Sequence, residues 1–297
     1  MNQSTLDRRR ACRLLAVAPA AMALGAKAES GESGEPFALR YVLASSLYGK
    51  TRLEEILPEV KKCGARGIDL WPLRHADQRE QVEAMGHERF GELLKQHGAG
   101  LAMTTRFDLG PLRLQDEMRF VRRFGGDLIV TGFVPDRPAA ERFVEQLAPH
   151  VEAAEKLGVT LGIENHGCDP DAIRHFASLA KSPNLGVALA VYWLPQDPAV
   201  IARLIEDLGS KLVLFYAWQH GNGCMKPMPV AEQLLQMPGR GPLDFRPIVG
   251  ALRKIGYQGP VEIFMHPVPR GIPILESTAK VTGEINRARG YLAGCLG

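Results

Sequence analysis

Residues 153–167 read Ala-Ala-Glu-Lys-Leu-Gly-Val-Thr-Leu-Gly-Ile-Glu-Asn-His-Gly. The run up to Leu157 has the spacing of a helix, and Gly158 stands where a helix C-cap calls for glycine. Val159 to Glu164 is a short apolar stretch that ends in three polar residues, Glu164, Asn165 and His166. This is a helix, a turn and a buried strand whose far end carries chemistry. Glu164 and His166 are two residues apart, so their side chains point to the same side of an extended chain. They either enter a shared site together, form a satisfied buried pair, or lie on a solvated rim. A buried Glu is uncommon unless it is paired or functional.

The same unit recurs in both directions. Apolar strands are expected at 39–44, 67–71, 100–105, 127–131, 159–164, 185–191, 211–218 and 260–265. The intervening segments, 51–63, 79–96, 112–124, 139–157, 171–180, 198–208 and 244–255, read as helices, and 276–292 closes the chain with an eighth. Strands that are apolar on both faces belong to a sheet covered on both sides. Gly64, Gly98 and Gly256 repeat the C-cap seen at Gly158. Eight strand–helix units in this length predict a (β/α)8 barrel. The alternative is an open doubly wound sheet, which usually carries a Gly-rich phosphate turn after its first strand. Here that turn is Ser45-Ser46-Leu47-Tyr48-Gly49, without the pattern. Residues 219–241 form one long segment without clear structure, and such loops are usually functional or mobile.

The barrel is expected over 38–297, preceded by a leader over 1–28 and a polar linker over 29–37. In the leader, Arg8, Arg9, Arg10 and Arg13 precede an apolar run from Leu14 to Gly25, then Ala26-Lys27-Ala28 offers small residues around a cleavage point. The run is too short to span a bilayer. This resembles a twin-arginine export signal, although Ala11 and Cys12 occupy places where that pattern has bulkier apolar residues. The expected partner is the twin-arginine export machinery and the expected location periplasmic, with no integral membrane segment after processing. The chain has 36 basic and 33 acidic residues. The leader holds five of the basic residues and one of the acidic, so the remainder has 31 and 32, a net of −1. A near-neutral body without a basic run gives no footprint for nucleic acid. Beyond Cys12, the cysteines at 63, 168, 224 and 295 show no paired spacing for zinc. Cys168 and Cys224 fall in loops at one barrel face, where a bridge or a metal role competes with the simpler reading of unpaired thiols.

In such a barrel only strand C-termini and the loops after them are candidates for chemistry. That selects Asp69, Trp71 and His75; Arg106 and Asp108; Glu164, Asn165 and His166; Tyr192 and Trp193; Trp218, Gln219 and His220; and His266 and Arg270. Four of the eight histidines, 75, 166, 220 and 266, fall on this face, whereas 87, 97, 150 and 175 sit in helices. Carboxylate and imidazole groups converging on one mouth suit a divalent cation and suit proton abstraction beside a carbonyl. Trp71, Trp193 and Trp218 could stack on a sugar ring or plug the barrel core. Arg240 and Arg270 follow the last two strands, where barrels often bind phosphate; either could instead hold a loop carboxylate.

The eight-unit layout, Gly162-Ile-Glu-Asn-His-Gly167 and the segment MPGRGPLDFRPIVGALRKIGYQGPVEIF at 237–264 together resemble the xylose isomerase-like sugar phosphate isomerase/epimerase superfamily. The resemblance spans about 40–290. It implies a divalent metal (Mn, Mg, Zn or Co) held by Glu, Asp, His and Glu on strands five to eight. Glu164 matches the first of these; the others fall at Ala190, Tyr216 and Phe264. Either the site has moved outward to Glu164, His166, Gln219, His220 and His266, or the metal is lost. The expectation is an exported isomerase or epimerase acting on a sugar or sugar derivative. Glu164, His166 and His266 would be catalytic, and Trp71, His75, Arg106, Trp193, Trp218 and Arg270 would hold substrate. The alternatives are a carbohydrate-binding barrel without turnover and a lyase acting on oxidised glycosides. An abasic-site nuclease of the same fold would need more metal ligands and a basic surface. Export disfavours phosphorylated substrates.

Overall fold

The eight expected strands close into a parallel barrel in the computed structural model, which describes residues 37–224 and 226–297. The leader at 1–28 and the linker up to 36 lie outside the described residues. The strands are β1 (Arg40–Ala44), β2 (Ile68–Leu70), β3 (Leu101–Thr105), β4 (Leu128–Phe133), β5 (Thr160–Glu164), β6 (Leu185–Ala190), β7 (Leu212–Ala217) and β8 (Pro260–Ile263). Each pairs with its sequence neighbours, and β1 pairs with β8 through Arg40↔Pro260 and Val42↔Glu262. The fold is therefore a (β/α)8 barrel.

The helices are α1 (Leu53–Lys62), α2 (Gln78–Met85), α3 (His87–His97), α4 (Gln115–Arg123), α5 (Ala140–Leu157), α6 (Pro170–Leu179), α7 (Pro198–Leu208), α8 (Val230–Gln233), α9 (Phe245–Lys254) and α10 (Thr278–Gly294). They form by amphipathic spacing. In α1 the buried Leu53, Ile56, Leu57 and Val60 recur at helical intervals and face the barrel wall. Burying each such side chain stabilises by about 1.5–3 kcal/mol. Asp169, Asp197 and Asp244 cap α6, α7 and α9 by accepting from backbone N–H groups of the first turn. None of the described helices is long and apolar enough to cross a membrane.

Two expectations are corrected. The single helix expected over 79–96 is two, α2 and α3, separated by Gly86 at φ 85°. That backbone conformation suits glycine and ends α2. The segment 219–241 is not wholly irregular, since it contains the short α8.

The interior follows from the period of two. Asp69 and Trp71, Thr105 and Phe107, Tyr216 and Trp218, and Glu262, Phe264 and His266 share parity along their strands. An inner layer of acids and hydroxyls therefore lies beneath an aromatic layer. Below both, β6 and β7 approach closely at Gly186, where a Cβ would stand 2.5 Å from the Lys211 carbonyl oxygen.

Candidate active site

The aromatic layer floors a cavity of about 370 Å³ at the C-terminal mouth. Trp71, Trp218 and Phe264 are buried, and Trp71 stacks on Phe264 with centroids 4.9 Å apart. The Trp218 Nε1–H donates to Gln236 Oε1 at 3.0 Å. Trp71 and Trp218 are thus plugs over the core whose faces also line the cavity.

Glu164 and His166 both reach this cavity. The residue between them sets their direction. Asn165 is buried on the other side of the strand; its amide accepts from Ala190 N at 2.6 Å and donates to Ala190 O at 3.1 Å, stitching β5 to β6. With Asn165 fixed outward, Glu164 and His166 must point inward. Glu164 is 5% exposed. It accepts from Trp193 Nε1 at 3.1 Å, and its Oε1 lies 3.8 Å from His166 Nδ1. The His166 ring lies against Trp193 and Phe133, with centroids 3.9 and 4.5 Å away.

Across the mouth, His75 and His266 stack with centroids 4.8 Å apart. Burial pushes His75 down to about 4, and the charges of Arg270 and Arg74 add to the effect. Burial likewise holds His266 well below the usual imidazole range, helped by His75 and Arg270. Both rings are therefore neutral at pH 7 and able to donate from one nitrogen and accept at the other. Arg74 and Arg270 also line the cavity.

Beneath the floor lies a pair that the sequence reading noticed only in half. Asp69 and Glu262 are both fully buried, on the two strands that flank β1. The Thr105 hydroxyl donates to Asp69 Oδ2 at 2.7 Å, and the Trp71 side chain lies close enough to both acids to oppose part of the rise in their pKa values. Two carboxylates in contact have nothing to give each other, but a carboxylic acid donates to a carboxylate. Burial raises Asp69 to about 7 and lifts Glu262 well above the usual range, with Asp69 as its next largest cause. Both shifts favour a proton held between the two acids. Burial and then the charges of Glu262, Glu164 and Asp69 hold the Tyr216 phenol protonated. Glu262 could have been found in the sequence as the one acid in Pro260-Val-Glu-Ile-Phe264, sharing parity with His266.

The other candidates separate. His75, Trp71, Trp218 and Arg270 line the cavity, as do Phe107, Asp108 and Phe133. Trp193 acts on Glu164 and His166 rather than on the cavity directly. Arg106 is a correction: its guanidinium is spent on Asp108 and on the buried Glu117. Arg240 takes the carboxylate alternative rather than the phosphate one, forming two bonds to Glu284 at 2.7 and 2.6 Å. Cys168 and Cys224 are free buried thiols.

The outward-shifted ligand set does not assemble. The Gln219 amide is buried, donating to Met237 O at 2.7 Å and accepting from Leu243 N at 3.0 Å. His220 stands on the exposed side of Tyr192, ring centroids 4.9 Å apart. At the positions where the resemblance implies ligands, Ala190 and Phe264 offer no donor atom and Tyr216 offers a protonated phenol. Among the described residues no three of His, Cys, Asp and Glu are grouped to hold a metal ion. The donor set does not fit a divalent cation of either kind.

Comparison with known proteins gives a consistent fold. A xylose isomerase domain protein from Alicyclobacillus acidocaldarius superposes with a TM-score of 0.62 at 19% identity, covering 87% of this chain and 98% of that one. D-psicose 3-epimerase from Clostridium cellulolyticum H10, solved with D-tagatose, gives 0.65 at 14%, covering 87% and 99%. The IOLI protein with a bound zinc atom gives 0.66 at 14%, covering 87% and 98%. No curated protein matches the sequence. The model of the xylose isomerase-like TIM barrel family matches residues 57–279, which is 223 of the 297 residues, and the chain belongs to that family.

Proposed function

We propose that this barrel acts on a sugar or sugar derivative by moving a proton at a carbon next to a carbonyl, with Glu164 as the base. The observation that carries this reading is the placement of Glu164. It lies on the cavity wall, held from one side by the Trp193 N–H and backed by His166. A carboxylate so held keeps one oxygen for a substrate C–H, and positioned general bases of this kind contribute about 10²–10⁴-fold. The neutral His75 and His266 face the same space and would bind hydroxyl and carbonyl oxygens without adding charge. Isomerisation, epimerisation and elimination from an oxidised glycoside share this first step. Sugar epimerases among the structural neighbours support the substrate class. No step is routed through a metal, because the donors for one are not grouped. The leader over 1–28 would deliver the folded barrel to the periplasm; cell fractionation with the paired arginines replaced tests that.

The test does not need the product. Candidate ketoses and aldoses are incubated with the protein in D2O, and deuterium entering the C–H beside the carbonyl is followed by proton NMR. Wild type should exchange at least one sugar, and Glu164→Gln should slow exchange about 10²-fold or more. Normal exchange in the variant would remove Glu164 as the base. The second reading, sugar binding without turnover, is favoured by the replaced ligand positions Ala190, Tyr216 and Phe264. It predicts sugar affinity with no exchange.

A further inference from the structure

The cavity has two unlike sides. Glu164, His166 and His266 present polar atoms from β5 and β8. The loops after β2 and β3 and the end of β4 present Leu73, Phe107 and Phe133, which have no polar side-chain atom, together with Arg74, His75 and Asp108 from the same loops. Phe107 and Phe133 stack nearly parallel, centroids 5.7 Å apart and planes 13° apart. Leu73 is 48% exposed and Phe133 50% exposed, against 2% for Trp71 and Trp218 on the floor. Leu73 and Phe133 are therefore apolar surface in the outer part of the cavity, beside the exposed Arg74 and Asp108, and the floor already supplies ring faces for a sugar. Large apolar side chains held half in water cost stability unless something covers them. Leu112 and Ile272, also large and exposed, lie on loops of the same face.

We propose that Leu73, Phe107 and Phe133 form a subsite for a flat aromatic group attached to the sugar, so that the substrate is an aryl glycoside rather than a free sugar. This deepens the sugar reading above and rests on it. The cavity volume of about 370 Å³ falls within the range of pockets for drug-sized ligands. An aromatic ring laid against Phe133 would complete the offset stack that Phe107 begins.

Isothermal titration calorimetry on the full chain with three probes tests this: 4-nitrophenyl β-D-glucoside, methyl β-D-glucoside and 4-nitrophenol. The aryl glucoside should bind about tenfold more tightly than the methyl glucoside. Phe133→Ser and Leu73→Ser should each shrink that ratio to about threefold or less. Both positions are half exposed, and a thermal melt confirms that each variant folds. Equal affinity of wild type for the two glucosides overturns the subsite, as does an undiminished ratio in both variants. If 4-nitrophenol alone binds, is weakened by Phe133→Ser, and neither glucoside competes with it, the aromatic subsite stands and the sugar reading fails. If no probe binds, the subsite is rejected.

Discussion

Two buried acid sites lie on either side of the barrel wall, and they solve the same problem differently. Outside the wall, Glu117 on α4 is 3% exposed and receives Arg79 at 3.1 Å together with Arg106. Inside it, Glu262 is fully buried with Asp69 as its neighbour and no cation beside it. The outer carboxylate is paired with guanidinium groups, with Arg79 also seated over the Phe120 ring at 3.9 Å. In the inner pair a proton held between the two acids lowers the charge from two to one. Charge in a protein interior can be compensated or removed, and the two routes differ in what pH and mutation do to them.

The largest effect should come from Glu117→Gln. It removes the buried carboxylate shared by Arg79 and Arg106 and leaves each only its more exposed partner, Glu83 and Asp108; breaking a buried pair typically costs about 3–5 kcal/mol. Urea unfolding should show that loss; a change below about 1 kcal/mol would place the cluster with weak surface pairs. Glu262→Gln should behave in the opposite way. Asp69 and Glu262 have folded pKa values above their unfolded ones, so their contribution is fully present below about pH 4 and is lost as pH rises toward and beyond 7. The limiting slope is about 1.4 kcal/mol per pH unit for each proton held only by the folded state. The melting temperature of the variant relative to wild type should therefore climb between pH 5 and 8. A difference independent of pH would mean that no proton is shared.

His75 sharpens the contrast from the side of a base. Its folded value is depressed to about 4, so its contribution to stability is present above about pH 6.5 and lost as pH falls toward 4. The His75 Cε1–H resonance should hold its neutral position from pH 8 to pH 5, and a midpoint near 6.5 would show the ring to be solvated. The smallest effect belongs to Asp108→Asn. This removes an acid that is 33% exposed at the side chain and leaves Arg106 its contact with Glu117. The cost in urea unfolding should be under about 1 kcal/mol.

The barrel was legible because its signal is redundant. Eight apolar strands, each following a helix, leave few alternatives, and Gly158 or Gly98 marks a boundary with a left-handed residue at each helix end. Glu164 and His166 were legible through parity at the end of an apolar strand, with the family resemblance also pointing to Glu164. Arg106 was not, because a strand-end position says nothing about Glu117, which arrives on α4 from eleven residues later. Glu262 was hidden by its neighbours: a lone acid in an apolar strand reads as a ladder interruption until Asp69 is placed beside it. Phe133 was missed because the fourth strand runs two residues beyond its apolar core, with a register shift against β5 between Thr131 and Phe133. Gln219 shows the reverse error, and Arg240 the outcome of its carboxylate alternative. Long polar side chains near a mouth are as apt to fasten loops as to meet a ligand.

Closure of the barrel has a kinetic consequence. Val42 and Glu262, partners across the β1–β8 seam, are 220 residues apart in the chain. Asp69 and Glu262 arrive on β2 and β8, so neither acid loses its water until that seam forms. Contacts of such sequence separation form late and slowly, and the desolvation of the acid pair falls on the same late step. Refolding should be faster at about pH 4 than at neutral pH, because the acids are substantially protonated before the ring shuts.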